Sequence, residues 1–103
     1  MKANELRIGN WVLNKNGRHI QINRDMFGIV LILKSIPLTP EVLEKCGFES
    51  NPYQDRYELK DLHFEYCGVR NIIWSEKYPH IQYLHQLQNL HFALTGEELI
   101  YKP

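Results

Sequence analysis

Five histidines are the residues of this chain that could most readily bind a metal ion. They are His19, His63, His80, His85 and His91. His85 and His91 are six residues apart in a predicted helix, which separates them by roughly 120° around the helix axis, whereas a helical metal pair is four residues apart. His63 and Cys67, on one face of a predicted strand, would lie about 13 Å apart. We therefore expect neither a metal nor another cofactor.

The two cysteines are the candidate nucleophiles. Cys46 is at the end of a predicted short helix, where the negative end of the helix dipole disfavours the thiolate. Cys67 has Glu65 rather than a cation nearby in sequence. The chain contains no G-x-S-x-G motif, phosphate-binding glycine-rich loop or paired-carboxylate pattern, and Glu97 and Glu98 are typical of a solvated turn. These patterns predict that the protein is not an enzyme.

The N-terminal part of the chain is basic. Residues 1–24 hold five Lys or Arg residues against one Glu, although the whole chain has a formal net charge of zero. On a hairpin, such bases could neutralise phosphates while a tryptophan ring stacks on a nucleobase. The candidate nucleic-acid-binding residues are Arg7, Trp11, Lys15, Arg18 and Arg24. Since Trp11 could instead be a core residue, with the arginines only keeping the hairpin soluble, nucleic-acid binding is the alternative prediction.

Aromatic residues favour a different function. The chain has two Trp, six Tyr and four Phe residues, more than the core of one small domain needs, and Tyr and Trp are enriched at protein interfaces. The candidate interface residues are Tyr53, Tyr57, Trp74 and Tyr78. The main prediction is therefore a non-enzymatic accessory protein that associates with an unidentified protein or with itself as a homo-oligomer.

Two helices are predicted to position these residues. Leucines recur at three- and four-residue steps over residues 84–94, and Gly96 is placed to end that helix. Thr39 is the predicted N-cap of a second helix over residues 40–46, and Gly47 ends it. Because no charged residue falls between Leu84 and Thr95, we expect the longer helix to dock on a sheet and to take no part in chemistry.

The predicted strands complete an α+β fold. Asn16 and Gly17 supply two positive-φ positions of a tight hairpin turn between strands near residues 7–14 and 18–23. Residues 29–33 are a predicted buried strand, residues 62–67 and 69–75 are predicted to pair as antiparallel strands, and residues 80–83 form a last short strand. Residues 49–54 are the predicted mobile loop. We expect a single domain over residues 1–103, with one strongly bent antiparallel sheet.

The predicted core is apolar and comes from both helices and from all predicted strands except the one at residues 80–83. Its members are Val12, Ile20, Ile22, Val30, Ile32, Leu43, Phe64, Ile72, Leu87, Leu90 and Leu94. The longest apolar run, residues 29–33, is much shorter than the roughly 20 residues that cross a bilayer. The first seven residues lack the apolar core of a signal peptide, so we expect a cytoplasmic protein without contact to a membrane.

Three motifs resemble a family of short proteins encoded in Bacteroides-group genomes, frequently in phage-like regions. They are ELRIGNWV at residues 5–12, IPLT with LEKCGF at residues 36–39 and 43–48, and LHQLQNLHFALTGEEL at residues 84–99. The resemblance implies a bacterial or phage origin and no catalytic residues. In addition, the Ile8-Gly9-Asn10-Trp11-Val12 segment and the hairpin after it resemble the start of small SH3-like barrels, which implies a barrel in the N-terminal half.

Overall fold

The computed structural model describes residues 6–24, 33–51, 55–60, 62–67 and 72–103. Within these ranges the fold is α+β, as predicted. Its elements are β1 (Trp11–Leu13), β2 (His19–Gln21), α1 (Pro40–Lys45), β3 (Glu49–Asn51), β4 (Arg56–Leu59), β5 (Leu62–Cys67), β6 (Ile72–Trp74) and α2 (Leu84–Thr95). The strands form two antiparallel sheets rather than one, in the orders β1-β2 and β3-β4-β5-β6. Neither sheet closes into a barrel within the described residues.

The chain forms two units. Unit 1 consists of Met1–Pro37 and Tyr83–Leu99, and therefore contains β1, β2 and α2. Unit 2 consists of Leu38–Gln82 and Ile100–Pro103, and contains α1 and the four-stranded sheet. The single domain over residues 1–103 stays a prediction. No helix of the described residues is long and apolar enough to cross a bilayer.

The first hairpin has the predicted pairing but a different turn. Val12 faces Ile20 across the ladder, and the backbone N–H of Gly17 donates to the carbonyl of Asn14 at 3.0 Å. Gly17 has φ +77°, whereas Asn16 does not have a positive φ, so the two-residue turn with two positive-φ positions is wrong. The side chain of Asn14 explains the longer loop, since its Oδ1 accepts the N–H groups of Asn16 and Arg18 at 2.9 and 3.0 Å.

Helix α2 begins where predicted and ends one residue later, but its buried face differs from the predicted one. Its buried residues are Leu84, His85, Leu87, Gln88 and His91. Leu90 is only half-buried, and Leu94, a predicted core residue, is 52% exposed, so that prediction is wrong. The helix ends at Gly96 with φ +76°, which confirms the predicted cap. Leu94 follows the buried Leu87 by two helical turns and shares its side of the helix, but it lies in the last turn, past the buried residues. Two amide side chains of α2, those of Gln88 and Asn89, find polar partners.

Gln88 is the first of these amides, and its side chain pairs with the edge of β1. Its Oε1 accepts the backbone N–H of Trp11 at 2.8 Å, and its Nε2 donates to the carbonyl of Gly9 at 3.1 Å. A residue of a neighbouring parallel strand would make the same two bonds on either side of Asn10. Because Gln88 is only 1% exposed, its amide depends on these two bonds for its polar partners.

Asn89 is the second amide, and it fixes the turn that precedes β1. Its Oδ1 accepts from Asn10 Nδ2 at 2.9 Å and from Arg7 Nε at 2.7 Å. The turn itself is closed by the N–H of Asn10, which donates to the Arg7 carbonyl, and it needs a glycine at Gly9, where φ is +98°. Arg7 also donates from Nη1 to Glu98 Oε1 at 2.7 Å, so α2 and the turn belong to one polar network.

The apolar core of unit 1 lies on the inner face of the hairpin. Leu6, Val12, Ile22 and Leu33 are buried together, with Ile20 half-buried against them. Leu13 exchanges two backbone hydrogen bonds with Lys34, at 2.8 and 2.9 Å, so the chain returns beside β1 after β2. Most of the predicted strand at residues 29–33 lies outside the described residues, and so do Val30 and Ile32.

In unit 2, α1 has the predicted caps. Thr39 Oγ1 accepts the N–H of Val42 at 3.1 Å, which confirms the N-cap. At the other end Gly47 has φ +90°, its N–H donates to Glu44, and the N–H of Phe48 donates to the Leu43 carbonyl. These two bonds complete a Schellman motif, which turns the chain sharply into β3.

The four-stranded sheet corrects two predictions. Residues 49–51 form strand β3 on β4, so the predicted loop at residues 49–54 is wrong over its first half, and residues 52–54 lie outside the described residues. Residues 80–83 do not form a strand, because a turn occupies Pro79 and His80 and only Tyr83 makes a single bridge, with Pro37. The predicted pairing of β5 with β6 is confirmed.

The alternation of β5 separates an apolar from a polar face. Leu62 and Phe64 are buried, and the Phe64 ring meets the Phe48 ring edge-on at 5.8 Å. The buried apolar residues of unit 2 are Leu38, Val42, Leu43, Cys46, Phe48, Leu62, Phe64, Ile81 and Tyr101. Leu43 and Phe64 were predicted core residues and are confirmed, whereas the side chain of Ile72 lies outside the described structure.

We predict that two identical substitutions in α2 have very different effects on the free energy of unfolding. Leu87→Ala removes a fully buried side chain and should cost about 2–5 kcal/mol. Leu94→Ala removes an exposed one and should change stability by less than about 0.5 kcal/mol. Urea unfolding of both variants measures the difference. Equal losses would show that α2 presents another face.

We also predict that Gln88→Met destabilises the protein by about 1–3 kcal/mol, because it removes the acceptor of a backbone N–H and keeps the volume of the side chain. Hydrogen exchange should locate the effect, with the Trp11 amide exchanging faster in the variant. The amide of Val12, which belongs to the ladder with β2, is the internal control. Unchanged exchange at Trp11 would contradict the pairing.

Candidate functional site

The polar face of the four-stranded sheet carries an open cleft of about 400 Å³ within unit 2. Strand register builds one side of it, since Arg56 is directly opposite Glu65 and both side chains stand on the same face as that of His63. The other side is the segment after β6. The lining residues, which we call the Arg56 cleft, are Arg56, His63, Glu65, Ser75, Glu76, Lys77 and Tyr78.

Arg56 is the centre of the strand side. Its Nε donates to Glu65 Oε1 at 3.0 Å, and its Nη1 is 3.7 Å from Glu58 Oε1. The same Nη1 is 3.3 Å from His63 Nδ1. Since a guanidinium only donates, Nδ1 of His63 must accept, which leaves the ring proton on Nε2. These partly exposed ion pairs add little stability, but they hold the side chains of the cleft in place.

A tight turn forms the other side of the cleft. Ser75 is buried, and its Oγ accepts the N–H of Tyr78 at 3.2 Å. Glu76 and Lys77, the two residues inside this turn, are exposed, and Lys77 Nζ is 5.6 Å from the centre of the Tyr78 ring. The cleft therefore offers charges of both signs, hydrogen-bond donors and an aromatic ring. This combination suits the recognition of another polar surface.

The predicted interface residues are divided between the two faces of the sheet. Trp74 is opposite Glu65, so its side chain is on the cleft face, and it is 44% exposed. Tyr78 lines the cleft directly. Tyr57 is opposite Phe64 on the apolar face, where its ring contacts that of Tyr66 at 6.4 Å. Tyr53 lies outside the described residues.

The predicted nucleic-acid-binding residues are in unit 1 and also differ in their surroundings. Arg7 is held by Asn89 and Glu98, and its guanidinium stacks on the Phe92 ring at 4.6 Å. Arg7 and Trp11 are both half-buried, whereas Lys15, Arg18 and Arg24 are exposed.

Neither cysteine nor histidine chemistry gains support from the geometry. Cys46 is at the end of α1, as predicted, and burial raises the pKa of its thiol to about 12.

His91 donates from Nδ1 to the carbonyl of Glu97 at 3.0 Å, which stabilises the end of α2. The His85 ring stacks on that of Tyr83 at 6.0 Å. In the described part of the chain, no group of three or more His, Cys, Asp or Glu residues could hold a metal ion.

Sequence reasoning did not bring the strand side of the cleft together as a site, because it considered His63 only as a metal ligand and Glu65 only as a neighbour of Cys67. Arg56, His63 and Glu65 occupy alternate positions of two strands, so period-two alternation could have placed them on the polar face. Their mutual contacts depend on the register of β4 on β5, which no residue signals by itself. Ser75 was predicted as the end of a strand and Tyr78 as an interface residue, but the turn that joins them was not predicted.

Comparison of the chain with protein-family models, with curated proteins and with solved structures gave no match. The resemblance to short Bacteroides-group proteins therefore stays a prediction, and so does a bacterial or phage origin.

We predict that Cys46 makes the protein less stable at alkaline pH. The unfolded chain loses the thiol proton near pH 9.0, whereas the folded protein keeps it up to about pH 12. Because the folded pKa is raised, this contribution to stability is complete below pH 9 and falls as pH rises, by about 1.4 kcal/mol at pH 10.

The measurement is urea unfolding between pH 8 and pH 10, where Cys46→Ala should reduce the slope of stability against pH. Cys67→Ala is the matched control, because it removes the other free thiol and leaves Cys46 in place. A Cys46→Ala variant with the slope of the wild type would contradict the raised pKa.

Proposed function

We propose that the protein is a non-enzymatic association module and that its partner is a second copy of this chain, bound through the cleft face of unit 2. The observation that carries the proposal is Trp74, a large aromatic side chain that is 44% exposed beside a cleft of mixed charge. Tryptophan is among the residues that contribute most to binding energy when an interface buries them.

The position of Trp74 favours a protein partner. Trp74 ends β6, which is the terminal strand of the order β3-β4-β5-β6 and pairs only with β5 among the described strands. The outer edge of such a strand presents backbone donors and acceptors to an additional strand. A partner strand placed there would also cover the indole ring. One contact would then supply both hydrogen bonds and apolar burial.

The charges of the Arg56 cleft favour self-association over a partner of one sign. Arg56 and Lys77 balance Glu65 and Glu76, so the lining carries two formal charges of each sign. In a two-fold symmetric contact the same patch meets itself, which requires a self-complementary surface. A strongly acidic or strongly basic partner would repel half of these four charges.

We also propose a cytoplasmic location for the protein. It is supported by Cys46 and Cys67, both of which are free thiols. Free cysteines are the norm in reducing compartments, whereas exported small domains mostly pair theirs.

The test is the molar mass in solution, measured by light scattering over about 10–500 µM, where weak interfaces dissociate. The wild type should become dimeric with rising concentration, and Trp74→Ser should remain monomeric. Ile100→Ser is the matched control, because Ile100 is a 63% exposed apolar residue of the same unit, and this variant should still dimerise.

Two results would overturn the proposal. A wild type that is monomeric at every concentration excludes self-association, and a Trp74→Ser variant that dimerises as the wild type does excludes this face. Circular dichroism of each variant checks that the fold is retained.

A further inference from the structure

On the outer face of the hairpin in unit 1, side chains from three backbone segments form one row. Leu13 is opposite His19 on β2 and opposite Lys34 on its other side, so the three side chains form one row across the strands. Trp11 and Gln21 form the next row on the same face. The inner face carries the buried Val12, and the two faces therefore differ sharply in polarity.

Lys34 is the residue that the hairpin sequence alone does not reveal. Its two backbone hydrogen bonds with Leu13, at 2.8 and 2.9 Å, set its position on this face, and its side chain is exposed. Lys15 and Arg18 are exposed in the adjoining loop, and His19 is exposed at the start of β2. We call Trp11, Lys15, Arg18, His19 and Lys34 the hairpin surface.

The hairpin surface has little acidic compensation. Residues 6–24 contain no Asp or Glu, and in the described part of unit 1 the ion pair of Glu98 is with Arg7 rather than with Lys15, Arg18 or Lys34. Unit 1 contains six Lys or Arg residues against four Asp or Glu residues, whereas unit 2 contains six against eight. Arg24 is left out, because Asp25 follows it in the sequence.

Trp11 gives this charged surface an aromatic component. Its ring is on the same face as the row of Lys34 and His19, and it is half-buried. Its backbone N–H is bound by Gln88, so the strand that carries the ring is fixed from its edge. A fixed aromatic ring beside cations is an arrangement by which proteins hold single-stranded nucleic acid, with bases stacked on rings and phosphates on Lys and Arg.

We propose that the hairpin surface binds single-stranded nucleic acid, with a base stacked on Trp11 and phosphates held by Lys15, Arg18 and Lys34. This activity is separate from the association through unit 2, and it does not depend on it. A duplex is a poorer ligand, because its bases are already stacked on each other and only its phosphates remain to be bound.

The test is fluorescence anisotropy with a labelled thymidine oligonucleotide of about 16 nucleotides, titrated from about 50 to 200 mM salt. If three phosphates are contacted, the logarithm of affinity should fall against that of salt with a slope of about −2, since each contact contributes about −0.7. Lys34→Gln should reduce the slope to about −1.4. The control Lys102→Gln, which removes an exposed lysine of unit 2, should leave the slope unchanged.

Stacking is tested separately from charge. Trp11→Leu should weaken binding by about 5- to 150-fold, and Trp11→Phe should recover most of the loss. Because Trp11→Leu could also disturb folding, a second measurement uses Trp74→Phe, in which Trp11 is the single tryptophan of the chain. The oligonucleotide should then quench the tryptophan emission.

Four results would overturn the proposal. Three of them are no binding at about 50 mM salt, where electrostatic attraction is strong, an unchanged affinity when Lys15, Arg18 and Lys34 are all replaced by Gln, and an unquenched Trp11 in the bound state. A duplex of the same length that competes equally would also overturn it, since the surface would then bind polyanions without stacking.

Discussion

The pairing of the Gln88 side-chain amide with the edge of β1 is the constraint on which the structure of unit 1 depends. A buried amide must find both a donor and an acceptor, and Gln88 finds them in the N–H of Trp11 and the carbonyl of Gly9. These bonds determine how α2 is rotated about its own axis. Leu84 and Leu87 are buried on the same side of the helix as Gln88, and Leu90, about 160° from Gln88 around the helix, is only half-buried. Leu94 is exposed for another reason, since it lies in the last turn, past the last buried residue, His91.

Sequence reasoning succeeded where the determining residues are close together in the chain. The N-cap at Thr39 and the left-handed residues at Gly47 and Gly96 each depend on contacts within a few positions, and both helices agree with the expected bounds to within one residue. The prediction of the buried face of α2 omitted Gln88, because its partner Trp11 is 77 residues away in the chain. Four leucines at helical spacing, from Leu84 to Leu94, predicted an apolar face. Nothing in the sequence near Gln88 and Asn89 indicated which groups their amides would bind.

The same distinction explains the candidate site. Alternation in β5 is local, and it correctly separates Phe64 from His63 and Glu65. Strand β3 was taken for a loop because its Glu-Ser-Asn sequence has no apolar residue, and such a segment becomes a strand only through pairing with β4. The contacts of Arg56 with Glu65 and His63 need that same sheet in its exact register, since a shift of one residue would move each side chain to the opposite face.

The constraint at Gln88 also governs which residues of unit 1 remain for binding. The network that begins with Gln88 and Asn89 includes Arg7, whose charge is neutralised by Glu98 and whose plane is covered by Phe92. Arg7 therefore stabilises the fold, although its sequence position predicted that it binds a nucleic acid. Lys34 shows the reverse, since it is far from the hairpin in sequence and reaches its outer face only because the other edge position of β1 is open to it. The contacts along one edge of β1 therefore determine both that Arg7 is held within the fold and that Lys34 is exposed on the hairpin.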